Sequence, residues 1–178
     1  MGALNAFIFY LLLIGVTLLI AKKKTWKKTL DFLGLTTKKI VVSQILLESI
    51  TLVFLLFITL ALEATVLGLV GANDSQKVEV VISNLSIFSI LIAATIGPFA
   101  EELFFRGFLQ KYAGVVLTAL IFAVLHFSFF SIAEITGAFT AGIILGYWVK
   151  YKKSSLWPVI LAHAVYNLIS VLIVLVVK

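Results

Sequence analysis

LNAFIFYLLLIGVTLLIA, residues 4–21, is followed at once by Lys22, Lys23 and Lys24. A nearly uninterrupted apolar run of this size is long enough to cross a bilayer as a helix, which takes roughly 20 residues. A cleaved signal peptide carries its positive charge before the apolar stretch and a small-residue cleavage site after it. Here the order is reversed, so the run reads as a retained span with its N-terminus outside. Five more runs follow: Ile40 to about Leu67, Val80 to Phe99, Val115 to Phe130, Ile132 to Val149 and Leu156 to Val177. Gly97-Pro98 interrupts the third of them near its end. The expected fold is all-α, a polytopic transmembrane bundle of about six spans forming a single domain over residues 1–178.

Composition agrees. Of 178 residues, 62% are hydrophobic and 12% charged, whereas soluble domains run about 45–50% apolar and about 25% charged. A soluble enzyme is excluded on that basis. The absence of cysteine removes disulfide frameworks, thiolate metal sites and cysteine nucleophiles together. The net charge of +6 implies no nucleic-acid partner, because the lysines lie beside the spans. Lys22, Lys23, Lys24, Lys27, Lys28, Lys38 and Lys39 form one basic segment; Arg106 and Lys111 form a second, and Lys150, Lys152 and Lys153 a third. These are twelve of the fourteen basic residues, and only Lys77 and Lys178 fall on the other side of the alternation. Basic loops face the cytoplasm, so the expected topology is N-out and C-out in the cell membrane. Trp26, Leu30 and Leu33 share a helical face within Trp26–Lys39, the pattern of a short interfacial helix. Gly142 and Gly146, four apart, fit close packing between spans.

Ionisable side chains inside a bilayer are costly and mark function by default. Glu63 and Glu134 lie near the external ends of their spans and are expected to be solvated. Glu48, deep in the second span, is expected to make a structural hydrogen bond. The remainder share one depth. At about 1.5 Å per residue, Glu101 lies roughly 15 Å from Lys111, His163 roughly 15 Å from Lys153, and His126 roughly 18 Å from Gly114. Three different spans thus bring acid and imidazole to the same level. Glu102 and Arg106 are four apart and can pair on one helix face. His163 and Asn167 share that spacing, as do Phe122 and His126, which places an aromatic wall beside the imidazole.

Adjacent helical residues point about 100° apart, so Glu101 and Glu102 have different tasks. Glu102, paired with Arg106, is the structural partner. Glu101 is left as a general base that, with His126, deprotonates a water. His163 and Asn167 supply N–H donors for an oxyanion. The chemistry this supports is peptide-bond hydrolysis without a covalent intermediate. A His-Glu-x-x-His zinc site does not fit histidines at 126 and 163. No Gly-x-Ser turn is present, and Asp31 and Asp74 both lie in loops, which excludes an intramembrane aspartyl dyad. Zinc held by Glu101, His126 and His163 stays open, since carboxylate and imidazole are legitimate ligands; otherwise no cofactor is expected.

At these residues the chain resembles a known family. Glu101-Glu102-Leu103-Phe104-Phe105-Arg106 matches the E-E-x-x-x-R motif of the CPBP family, the CAAX proteases and bacteriocin-processing enzymes, also called type II CAAX prenyl endopeptidases or the Abi family. Phe122 to His126 matches its F-x-x-x-H motif, and His163 to Asn167 its H-x-x-x-N motif, preceded by the typical Ser155-Leu156-Trp157-Pro158. The resemblance covers about residues 95–170 and implies a helical intramembrane glutamate protease opening toward the cytoplasm. It implies that Glu101 and His126 activate water, that His163 and Asn167 hold the oxyanion, and that Glu102 and Arg106 support them. The implied partner is a membrane-embedded or lipidated peptide or protein, prenylated or bare; no oligomeric state is implied. Two other classes remain in view: a non-catalytic membrane scaffold or bacteriocin-immunity-like protein with the same fold, and a proton-coupled transporter. Against the transporter, no inverted repeat is visible.

Overall fold

A computed structural model of the chain describes residues 3–36, 41–152 and 155–176, the side chains of residues 128 and 129 excepted. Among the described residues all regular structure is helical. The order is α1 (Ala3–Ile20), α2 (Trp26–Leu33), α3 (Val42–Leu69), α4 (Gln76–Ser83), α5 (Ile87–Ala94) and α6 (Ile96–Glu102). α6 continues through a π-helical stretch (Leu103–Leu109) into α7 (Gln110–Leu125). A 3-10 turn (His126–Phe129), α8 (Ile132–Lys152) and α9 (Trp157–Val176) complete the chain. Lys38, Lys39, Ile40, Lys153, Val177 and Lys178, which enter the span and charge expectations, lie outside the described residues.

Among the described residues, five helical runs are long and apolar enough to cross a membrane: Ala3–Ile20, Val42–Leu69, Ile87–Leu125, Ile132–Lys152 and Trp157–Val176. This differs from the six separate spans expected, and the third run explains the difference. Its 39 residues would measure about 58 Å if straight, nearly twice a hydrocarbon core of about 30 Å. It is not straight. Gly114 takes φ 75° and ψ 174°, outside the helical region and accessible at little cost only to glycine. The chain doubles back there, so that Phe105 and Phe122 meet with ring centroids 5.0 Å apart. The third and fourth expected spans are therefore two arms of one folded run.

The third expected span also starts and breaks elsewhere. Val80 belongs to α4, and α5 begins afresh at Ile87, capped by the Ser86 hydroxyl accepting from Ser89 N. The interruption expected at Gly97-Pro98 falls earlier, at Thr95 (φ −130°, ψ −74°). Pro98 sits in the first turn of α6, where a missing N–H removes no intrahelical bond. Asp31 lies on α2 rather than in a loop, still outside the five runs.

Two features hold the bundle together. One core joins Leu52 and Leu56 of α3, Leu103, Leu145 of α8, and Val159 and Ala162 of α9. The other is the α7–α8 seam. A Cβ on Gly142 would stand 2.9 Å from Ala119 Cβ and 3.1 Å from its Cα, and one on Gly146 2.8 Å from Val115 Cγ1. The small residues thus permit the backbone approach expected of them. Outside, large apolar side chains such as Leu12, Leu47, Phe54, Ile58 and Leu62 are exposed. In water such a belt would be a liability; against lipid it is matched. The chain is a multi-pass membrane protein.

The two ends of the bundle differ chemically. At one, the Lys111 ammonium donates to Phe32 O, Leu156 N donates to Gly34 O at 2.8 Å, and Trp157 Nε1 donates to Leu35 O at 3.1 Å. α2 is stitched in place here, with Leu33 fully buried and Trp26 60% exposed, as an interfacial helix requires. At the other end Asp74 caps α8, accepting from Ser131 Oγ (2.8 Å), Ile132 N (3.1 Å) and Ala133 N (3.0 Å), and pairs with Lys77 at 2.9 Å. Those bonds, Ala133 N–H foremost, then Lys77 and Ser131, hold the Asp74 carboxyl well below the usual carboxylate range.

Candidate active site

The site is assembled where α6 passes into the π-helical stretch. Glu101 and Glu102 end α6, and Arg106 lies on the wider turns that follow. Such turns are rare and concentrate at functional sites. The expected pair forms: Arg106 Nη1 donates to Glu102 Oε1 at 2.8 Å, with the side chains 1% and 0% exposed. His163 Nδ1 meets the same carboxylate oxygen at 2.8 Å. A carboxylate bonded to a guanidinium is an acceptor, so Nδ1 carries a proton and donates. This leaves His163 Nε2 pointing to Glu101, 3.8 Å from Oε2. The separation is too long for a direct hydrogen bond and leaves a water oxygen within reach of both atoms.

Phe122 is the centre of the surrounding wall. Its ring lies 4.5 Å from the His126 ring, 6.2 Å edge-on from His163, 5.0 Å from Phe105 and 4.7 Å from the Arg106 guanidinium carbon. His126 Nδ1 is 2.8 Å from Phe122 O. A carbonyl only accepts, so Nδ1–H donates. Glu134 lies within electrostatic range of both His126 and Glu101.

Most of the expected residues are thus gathered from three elements: Glu101, Glu102 and Arg106, then Phe122 and His126, then His163. Asn167 is placed differently. Its Nδ2 donates to Ala93 O at 3.0 Å, satisfying a carbonyl left without a helical partner by the break at Thr95. One N–H of that amide is engaged in this way and the second remains a donor. Glu48 makes structural bonds, accepting from Gln44 Nε2 and Trp148 Nε1, each at 3.0 Å.

Two expectations are corrected. Glu134 and Glu63 are half-buried rather than fully solvated end-of-span charges. Glu134 is half-buried beside the histidine site, and Glu63 keeps Oε1 buried with no hydrogen-bond partner. The α8 fold-back across α7 draws Glu134 inward, which distance along its own span cannot reveal. One contributor was missed altogether: Tyr10 of α1, whose hydroxyl donates to Glu101 Oε1 at 3.1 Å. The signal was available, because Tyr10 is twelve residues before Lys22, roughly 18 Å along a helix, the level of the other site residues.

Residues 83–169 match the family model described as type II CAAX prenyl endopeptidase Rce1-like. Over these residues the chain is similar to the CAAX protease family. The match contains all three motifs, from Glu101 to Asn167, and leaves α1, α2 and α3 outside it. No curated protein and no solved structure matches the chain. Among the described residues no group of three or more His, Cys, Asp or Glu is arranged to hold a metal ion. Glu101, His126 and His163 are not such a group among these residues.

Proposed function

We propose that this chain is a CAAX-family intramembrane endopeptidase that cleaves a membrane-embedded or lipidated peptide by water attack, opening toward the cytoplasmic face. The observation that carries the reading is the convergence of Glu101 Oε2 and His163 Nε2 at 3.8 Å above a fully buried Glu102–Arg106 pair. Glu101 accepts the water proton, assisted by the His126 nitrogen that does not bond Phe122. With protons on both ring nitrogens, His163 donates through Nε2 to the oxyanion while Glu102 holds the other side of the ring. Before the proton transfer the charges of Glu101, Glu102, Arg106 and His163 sum to zero, and after it the negative oxyanion replaces that of Glu101, which makes the protonated ring tolerable in an apolar setting. The remaining N–H of Asn167 is the second oxyanion donor. Phe122 excludes bulk water and strengthens every polar contact inside.

Orientation follows from the basic end. Lys22, Lys23, Lys24, Lys27, Lys28 and Lys111 gather with the α2 docking contacts, whereas Lys77 sits with Asp74 at the other end; the positive-inside rule puts the first end in the cytoplasm.

The test is cleavage of a panel of membrane-associated peptides, prenylated and bare, by the purified wild type and Glu101→Gln, each with and without a strong zinc chelator. Loss of the base lowers the rate by roughly 10²–10⁴-fold, and the chelator leaves the wild type unchanged. Cleavage abolished by the chelator points to a metal enzyme instead. Specific peptide binding, equal in both variants and without cleavage, points to the scaffold class.

A further inference from the structure

We propose that Tyr10, on the N-terminal span outside the family match, is a positioning residue that orients the Glu101 carboxylate for its part in the reaction. The inference rests on the endopeptidase reading and extends it to α1. Among the described residues, the bond from Tyr10 to Glu101 Oε1 at 3.1 Å is the only side-chain hydrogen bond from α1 to another helix. α1 is otherwise loosely held, with Thr17 its single buried residue. The bond engages one carboxylate oxygen and leaves the other, Oε2, turned to His163 Nε2. A carboxylate free to rotate would present either oxygen at a range of angles; one pinned through Oε1 presents Oε2 in a single direction, which is what proton abstraction within a hydrogen-bond distance needs.

Gly97 makes the reach feasible. A Cβ there would lie 3.2 Å from Tyr10 Cζ and 3.3 Å from Cε2, tighter than ordinary contact. The glycine leaves the phenol room to pass over the start of α6 and meet Glu101 one turn further on. Neither the tyrosine nor this close approach belongs to the three sequence motifs, so the catalytic carboxylate is oriented by an element that those motifs do not include.

The experiment uses the full-length chain and a peptide that the wild type cleaves. Tyr10→Phe keeps the ring and removes only the hydroxyl. Its kcat is expected to fall ~10–100-fold, the scale of a hydrogen bond to a charged group, with KM and melting temperature close to wild type. Gly97→Ala crowds the phenol without removing it and should lower kcat in the same way. Phe7→Leu, which loosens the Phe7–Phe88 contact on the same helix, serves as the packing control and should leave kcat unchanged. A Tyr10→Phe kcat within threefold of wild type overturns the proposal, as does an equal loss in Phe7→Leu, since either makes α1 a packing element only. Full cleavage by Glu101→Gln overturns the reading of Glu101 as the base, and the role of Tyr10 with it.

Discussion

Removing the charge from Glu102 should be the most damaging conservative change in the protein. One oxygen of that carboxylate receives both Arg106 Nη1 and His163 Nδ1 at 2.8 Å, and the residue has no exposed surface. In Glu102→Gln the Arg106 guanidinium stays buried at 2% exposure with no counter-charge, and its Nε and Nη2 have no hydrogen-bond partners in the folded protein. The Phe122 ring at 4.7 Å is the compensation that remains. Breaking a buried ion pair by removing one partner costs about 3–5 kcal/mol, against a total stability of about 5–15 kcal/mol for a domain. At about 2–4 °C per kcal/mol for a chain of this size, the melting temperature in detergent should drop by roughly 6–20 °C. The double variant Glu102→Gln/Arg106→Met removes the orphaned charge as well, so it should recover a substantial part of the loss, because the two substitutions are coupled through one contact. A single-variant shift under about 2 °C, or a double variant whose loss equals the sum of the two singles, would refute the account of a desolvated pair that depends on its own partner.

Asn167→Ala should lower kcat by roughly 10²–10³-fold, the effect of losing one oxyanion donor, with KM little changed; a rise in KM without loss of kcat would mark Asn167 as a tether for Ala93 O alone. Asp74→Asn should lower the melting temperature at neutral pH. The wild-type carboxyl is held below its ordinary range, so the stabilisation it gives is present at neutral pH and above and is lost as pH falls through the folded-state value; the difference between variant and wild type in a melting-temperature series should therefore vanish in strong acid. Gly142→Ala should cost about 1–3 kcal/mol from overpacking, because Ala119 Cβ and Cα stand 2.9 and 3.1 Å from the added carbon; an unchanged denaturation midpoint would show that the α7–α8 seam relaxes freely. The chain has no cysteine, so single cysteines at Lys24 and Glu79 should react with an impermeant maleimide from opposite faces of a sealed vesicle, and labelling from the same face would overturn the topology.

The apolar runs, the basic segments and the three motifs were determined by the sequence alone, because each is a one-dimensional property: a bilayer sets a length of apolar chain, the positive-inside rule counts lysines, and helical rise turns residue number into depth. The Glu102–Arg106 pair was legible for the same reason, since residues four apart on one helix are neighbours whatever surrounds them. Contacts between elements were decided only by the tertiary structure. Gly114 folds one long helical run into two arms, which no hydropathy window registers, because the reversal lies in a single φ/ψ pair. That fold-back and the packing of α8 across it set Glu134 within electrostatic range of His126 and Phe122 against Arg106. The meeting of Tyr10 with Glu101 spans 91 positions in sequence and depends on a gap at Gly97 that exists only once α1 lies against α6. Depth can be counted along each helix from its own ends, but the rotation of one helix against the next is set by packing, and packing decides which side chains at that depth touch.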